Sequence, residues 1–351
     1  PAGHYRFEVR AMGESEIWSA PIGIDLDVKP PWYQTFWAYA GYLITIILLL
    51  RILLRLNARR LIKANELLEN KVKGATLEIT EQKHLIEEKN KEITDSIQYA
   101  QKIQQSLLAG NDLLKDNLKK GSRDYFVFYR PKDIVSGDYY WAHKNQNDEF
   151  ILITADCTGH GVPGAFMSLL CISYLNEVVK EANQFDPGAI FNSLRTKIVN
   201  NFRVHENKER KDGMDAVICR FNFKTNTLNY AAANNPIVLI EPQDDGSTQL
   251  LELDYDKMPV GVSHNMEYKD FSSFSVNLKP GTCIYTFTDG FADQFGGPKG
   301  KKFMYKKLRE LLHTIASLPM QEQVLILDKA LKDWKGDSDQ VDDILVIGVR
   351  V

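Results

Sequence analysis

The 351-residue chain has 44% hydrophobic and 25% charged residues and a formal net charge of −3. Those averages describe ordinary globular protein and exclude collagen-like, mucin-like and wholly disordered chains. A near-neutral balance also lacks the basic footprint of a nucleic-acid binder, so no nucleic-acid partner is expected. At roughly 150 residues per domain, the length predicts about two folded units.

Residues 4–11 alternate with period two: Tyr5, Phe7, Val9 and Ala11 fall on one face, His4, Arg6, Glu8 and Arg10 on the other. Ile22, Ile24, Leu26 and Val28 repeat the pattern after the turn-rich Gly13-Glu14-Ser15. This predicts two half-buried strands, a hairpin at the end of a β-sandwich, and two strands cannot make an independent core. A chain opening on Pro1 rather than Met is expected to be a piece or processed product of a longer protein. Ala2-Gly3-His4-Tyr5-Arg6-Phe7 and Trp18-Ser19 resemble the closing strands of the Y_Y_Y-type sensor domain. That resemblance implies that residues 1–30 end an extracytoplasmic sensor.

From Trp32 to Leu50, 19 consecutive residues include no Asp, Glu, Lys or Arg. A helix of that length spans about 28 Å, close to the ~30 Å hydrocarbon core of a bilayer. Trp32, Tyr33, Trp37 and Tyr39 crowd its first turns, where amphipathic rings prefer the headgroup layer. Arg51, Arg55, Arg59, Arg60 and Lys63 all precede the first following acid, Glu66. A membrane helix over 32–54 with its C-terminal side in the cytoplasm follows, in a bacterial inner membrane crossed once. The competing readings are a buried helix of a soluble domain and a secretory signal peptide. A signal peptide would follow a short basic segment, not a long strand-like one.

Residues 55–118 are rich in Glu, Lys, Leu, Ile and Gln and contain no Pro. Val72, Ile79, Ile86, Ile93, Ala100 and Leu107 recur every seven residues, while Leu61, Leu68 and Ala75 open a second seam that Gln82, Lys89 and Ser96 interrupt. One good seam and one broken seam predict a marginal parallel coiled coil, hence a homodimer, suited to carrying a signal between two registers. A single amphipathic helix lying on its own domain is the alternative.

Residues 122–351 read as one α+β domain. Strands are expected at Tyr125–Tyr129, Phe150–Ala155, Ala216–Phe223, Ile237–Ile240, Cys283–Thr288 and Ile344–Val351. Helices are expected at Pro163–Glu181, Pro187–Phe202, Lys301–Ala316 and Gln321–Trp334, both prolines suiting a first helical turn. Short turns favour antiparallel sheets with helices outside. Asp138 lies in Ser136-Gly137-Asp138, Asp156 and Asp289 end apolar strand runs, and the pair Asp342-Asp343 opens the last strand. Acids gathered at one sheet edge repel one another and need a cation to share the site. Hard oxygen donors without a Cys/His set select Mg²⁺ or Mn²⁺. Isolated strand-end aspartates also serve as caps and turns, so spacing alone leaves both readings open. The four cysteines lie on the cytoplasmic side of this topology and are expected to be reduced and buried.

Ser136-Gly137-Asp138-Tyr139-Tyr140-Trp141 and Ala155-Asp156-Cys157-Thr158-Gly159-His160-Gly161-Val162-Pro163-Gly164 resemble the PPM-type metal-dependent Ser/Thr phosphatases, in the branch named for sporulation stage II protein E. Gly213-Met214-Asp215, Thr288-Asp289-Gly290 and Gln340-Val341-Asp342-Asp343 follow in the family's order, and the leading helix Ser96–Gln104 matches as well. The resemblance implies two antiparallel β-sheets sandwiched between helix layers. It implies that Asp156 bridges two cations, with the main-chain carbonyl of Cys157, Asp138, Asp289 and Asp342 completing the shell directly or through water. Asp343 would orient that shell, and Asp215 would touch a third cation or position a segment beside it. Chemistry would be attack of a two-metal-activated hydroxide on phosphoserine or phosphothreonine. The substrate would be a phosphorylated regulatory protein such as an anti-sigma-factor antagonist. His160 is a candidate general acid or a loop-structuring hydrogen-bonder. Arg130 and Lys132 are candidates for substrate phosphate or ordinary solvated charges. A catalytically silent receptor using the domain only for partner binding is the alternative function, and a small-molecule phosphohydrolase a third.

Overall fold

The structure, a computed structural model, describes residues 1–14, 16–203, 212–262 and 269–351; Ser15, part of the expected turn, lies outside them. The chain divides into two compact units, Pro1–Lys89 and Asn90–Val351.

In the first unit, β1 (Gly3–Val9) and β2 (Ile22–Val28) pair antiparallel with Phe7 opposite Ile24. The period-two alternation is there, but Tyr5, Phe7, Ile24 and Leu26 all remain exposed, so the expected half-burial is absent from this hairpin. A 3-10 turn at Trp32–Gln34 leads into α1, which spans Phe36–Leu107. The helix begins four residues inside the uncharged stretch because Pro30-Pro31 holds the chain extended just before it. Leu43, Ile47, Leu50 and Leu54 are exposed around its early turns. By length and composition α1 is apolar enough to cross a membrane.

The helix expected to run through Leu118 ends at Leu107, and α2 (Asn111–Leu118) starts anew after Gly110. Tertiary contacts decide this break. The Ala109 N–H donates to Tyr140 O (3.3 Å), and Leu114 and Leu118 are buried in the core between the sheets.

The second unit is built on two antiparallel sheets. Their strands are β3 (Asp124–Arg130), β4 (Asp138–Lys144), β5 (Phe150–Cys157), β6 (Gly213–Asn222), β7 (Thr227–Ala233), β8 (Val238–Pro242), β9 (Thr248–Glu252), β10 (Val260–Gly261), β11 (Phe274–Asn277), β12 (Cys283–Phe287) and β15 (Ile344–Arg350). One sheet orders β11-β7-β6-β5-β4, with β10 also on β6; the other orders β3-β15-β12-β8-β9. Inner faces meet through Leu152, Val217, Leu239, Ile284 and Leu345, and Thr154 Oγ1 meets Thr286 Oγ1 across the gap at 2.6 Å. Alternate residues face outward. Ile153 and Ile218 pack under α3 (Gly161–Leu175) and α4 (Pro187–Arg203), while Tyr285 and Val346 pack under α6 (Tyr305–Ile315) and α7 (Met320–Lys335). Each such buried side chain contributes roughly 1.5–3 kcal/mol, which holds the acid-bearing strand ends firmly.

Several expected elements change. β4, β7, β9, β10 and β11 are additional to the expected strands; in β4 the run Tyr139-Tyr140-Trp141-Ala142 is largely buried on both faces and so carries no alternation. The expected helix to Glu181 leaves α-geometry at Leu175 and finishes as a π-turn over Asn176–Glu181. Lys301–Lys302 does not begin a helix but forms β14, paired with β13 (Phe295–Gly296) after the short α5 (Gly290–Asp293). All four cysteines are free and buried.

Candidate active site

Strand register assembles one wall of the site. Asp138 of β4 pairs with Asp156 of β5, and Asp156 pairs with Asp215 of β6. Directly paired residues project on the same face from strands about 4.8 Å apart. Three carboxylates therefore stand side by side on the face turned toward the second sheet. That sheet supplies the opposing wall. Asp289 follows β12, Asp342 and Asp343 precede β15, and these two strands are neighbours. Asp156, Cys157, His160, Asp215, Asp289 and Asp342 all line one cavity of about 240 Å³. Asp138 sits behind it, 1% exposed.

Hydrogen bonds lock the two walls together. Thr288 Oγ1 donates to Asp138 Oδ2 (2.6 Å) and accepts from the Leu345 N–H (3.0 Å), joining the sheets at their acidic ends. Asp343 does not face the cavity. Its Oδ1 accepts the Lys132 N–H and its Oδ2 the Gly137 N–H, both at 2.8 Å, so it clamps the loop before Asp138. Asn234 Nδ2 donates to Asp215 Oδ1 (2.8 Å). Gly137 has no room for a side chain, since a Cβ there would strike the Gly159 carbonyl; this lets the Asp138 and Asp156 loops nest.

Burial, then mutual repulsion, raises the carboxylate pKa values. Asp138 and Asp156 are pushed well above the usual range by desolvation and by each other's neighbourhood of Asp289, Asp342 and Asp343 or Asp215. Asp289 rises to about 6, through burial and then Asp342 and Asp293. Asp215 is raised by burial, with Asn234 opposing, and Asp343 by burial, with its two N–H partners opposing. Among the described residues no three His, Cys, Asp or Glu side chains already converge on one point as a finished metal centre. The donor chemistry nevertheless fits hard divalent cations, because an all-oxygen set whose negative charge is this costly is relieved by positive charge. Cys157 adds no thiolate: its side chain is buried in the outer core, and desolvation raises its pKa well above the ordinary thiol value.

At the rim, His160 Nδ1 lies 3.0 Å from Asp133 Oδ2 and Nε2 lies 3.1 Å from Lys132 Nζ. An ammonium only donates, so Nε2 accepts there and the Nδ1–H donates to Asp133. Arg130 is placed elsewhere, paired with Asp328 of α7 at 3.3 Å.

The profile of the family described as Stage II sporulation protein E (SpoIIE) matches residues 146–351, more than half of the chain. The chain belongs to that family. It is 22% identical over 214 residues to phosphoserine phosphatase RsbP of Bacillus subtilis (strain 168), covering 61% of the chain and 48% of RsbP. It thus spans about half the length of that curated relative. The SiaA-PP2C domain of Pseudomonas aeruginosa superposes with a TM-score of 0.64 at 28% identity, over 75% of this chain and 98% of that one. The PP2C phosphatase domain of SpoIIE from Bacillus subtilis, with a regulatory fragment, matches with a TM-score of 0.50 at 16% identity, over 65% of this chain and 63% of that one. The second unit has the PP2C-type phosphatase fold.

Three residues that build this site are not singled out by the sequence: Thr288, Asn234 and Asp133. Thr288 lies inside a motif quoted for the resemblance, so its position is visible there without its contact. Asn234 and Asp133 give no signal beyond being polar residues in turn-like sequence.

Proposed function

We propose that the second unit hydrolyses phosphoserine or phosphothreonine in a protein, with Mn²⁺ or Mg²⁺ held in the carboxylate cleft. The observation that carries this reading is the register aligning Asp138, Asp156 and Asp215 across three strands, opposite Asp289 and Asp342. Asp138, Asp156, Asp289, Asp342 and the main-chain carbonyl of Cys157 would hold two cations, and Asp215 a third. When bound, the cations acidify a water and neutralise charge on the phosphate. The chain's own residues do the rest. Asp343 and Thr288 fix where Asp138 stands. Asp133 fixes the His160 ring with Nε2 at the rim; in its doubly protonated form the imidazole would give the Nε2 proton to the leaving serine oxygen and return to the neutral Nδ1–H form. Lys132 brings a positive charge to the same rim, a role its pairing with Asp328 removes from Arg130.

Likeness to a phosphoserine phosphatase supports a phosphorylated regulatory protein as substrate, in the class of anti-sigma-factor antagonists. The exposed apolar side chains of early α1, followed by the basic collar Arg51–Lys63, support a single span of a bacterial inner membrane with the phosphatase in the cytoplasm. Val72, Ile79, Ile86 and Ile93 remain exposed as one stripe along α1, which supports pairing with a second copy as a coiled coil that carries an extracytoplasmic signal. The purified chain in detergent should release phosphate from a phosphoserine protein with Mn²⁺, and both chelation and Asp156→Asn should abolish release. Hydrolysis that survives both refutes the cation mechanism. Tight phosphoprotein binding without release would instead establish the silent-receptor reading.

A further inference from the structure

Within α1 one side chain is buried, and it is polar: Gln104, 3% exposed, three residues before the helix ends. Burying a primary amide is unfavourable unless its donors and acceptor are matched. Here they are matched against backbone. Gln104 Oε1 accepts the Ser136 N–H at 3.2 Å, and Nε2 donates to Ser136 O at 2.6 Å, so the amide reads both sides of one peptide residue as a neighbouring strand would. Nε2 also donates to Ser168 Oγ (2.8 Å) on α3, the helix that starts directly after the Cys157–His160 loop.

Ser136 is fully buried and stands two residues from Asp138. Its own Oγ accepts the Asp138 N–H at 3.1 Å. Gly137, between them, donates to Asp343 Oδ2. The second sheet holds the loop that presents Asp138 through Asp343, Thr288 and Tyr129, and from the α1 side it is Gln104 that holds it, at Ser136. An apolar gap of about 220 Å³ remains between α1 and α3, lined among others by Ile97, Ala100, Val135, Ala165 and Phe166. Gln104 is the buried side chain of α1, so its amide makes the specific contact between the end of α1 and this loop.

We propose that Gln104 is a positioning residue, whose side-chain amide holds the Ser136–Asp138 loop so that Asp138 and its neighbours bind divalent cation. This rests on the cleft being a cation site, and it predicts an effect on cation affinity rather than on the chemical step. Groups that orient metal ligands without touching the metal shift its affinity by about 10- to 100-fold. In the full chain, Mn²⁺ binding followed by the electron paramagnetic resonance signal of free Mn²⁺ should weaken by at least about tenfold in Gln104→Leu. Turnover at saturating Mn²⁺ should return to within about threefold of wild type, which a generally damaged fold would not allow. Ser168→Ala keeps both bonds to Ser136 and should weaken Mn²⁺ less than Gln104→Leu does. Should Gln104→Leu fail to fold, Gln104→Asn, which shortens the reach but keeps the amide, takes its place with the same expectation. Unchanged Mn²⁺ affinity in the folded variant overturns the proposal. Asp156→Asn separates this from failure of the underlying reading. If that variant also binds Mn²⁺ as wild type does, the cleft is not the cation site and both readings fall. If wild type binds Mn²⁺ without hydrolysing phosphoprotein, the phosphatase reading falls and the positioning role of Gln104 stands.

Discussion

The two units use the same apolar residue types in opposite ways. In Pro1–Lys89 the large side chains Phe7, Ile24, Leu43 and Ile79 are all exposed, while in Asn90–Val351 their counterparts Phe221, Ile153, Leu345 and Phe287 are almost completely buried. The second unit supplies its own apolar interior, three layers thick, and can hold five acids in partly desolvated positions at one end of it. Among its described residues the first has no such interior: the hairpin, early α1 and the heptad stripe all leave their large apolar side chains exposed. Local patterning is equally strong in both. What differs is that the apolar faces of the second unit cover one another, while those of the first stay exposed.

That contrast can be broken most sharply at the cleft. Asp156→Asn, in the self-sufficient unit, should lower phosphoprotein hydrolysis by at least about 10³-fold, read as phosphate release in Mn²⁺, because it removes the charge shared by both neighbours in the register. A core truncation tests the next level. Phe221→Ala should cost about 3–5 kcal/mol in denaturant unfolding of the second unit. Ile79→Ala should shift that same transition by less than about 0.5 kcal/mol, since its side chain touches solvent here, and should show instead as weaker self-association in sedimentation.

The raised carboxylates give a subtler test. Without cation, Asp289 holds its proton up to about pH 6, above its value in an unfolded chain. A group raised on folding stabilises the fold when protonated, and that contribution is lost as pH rises through the folded pKa. The chelated protein should therefore lose on the order of 2 kcal/mol between about pH 4 and pH 7 from this residue. Asp289→Asn should flatten that slope in thermal melts, and Mn²⁺ should remove it by compensating the ionised form. The smallest effect is expected at the rim. Arg130→Ala should leave KM for the phosphoprotein within about twofold, because the side chain is turned to Asp328, whereas Lys132→Ala should raise it several-fold.

Sequence alone determined what depends on local period and on residue chemistry: the alternation of β1 and β2, the uncharged stretch in α1, the heptad stripe, and the oxygen-only acids at strand ends. It placed Asp138, Asp156, Asp289 and Asp342 near a common edge by motif, yet it carried no register. β4 was invisible because its aromatic run is covered on both faces, and without β4 the alignment of Asp138 with Asp156 and Asp215 could not be read. Only the tertiary structure decided that Asp343 clamps a loop, that Arg130 turns away, that α1 stops at Leu107, and that Gln104 is the one buried side chain on that helix. Each of these depends on a partner far away along the chain, such as Gly137 for Asp343 or Ser136 for Gln104. Period and composition report on neighbours in sequence, and hydrogen bonds between distant segments are settled by how the layers pack.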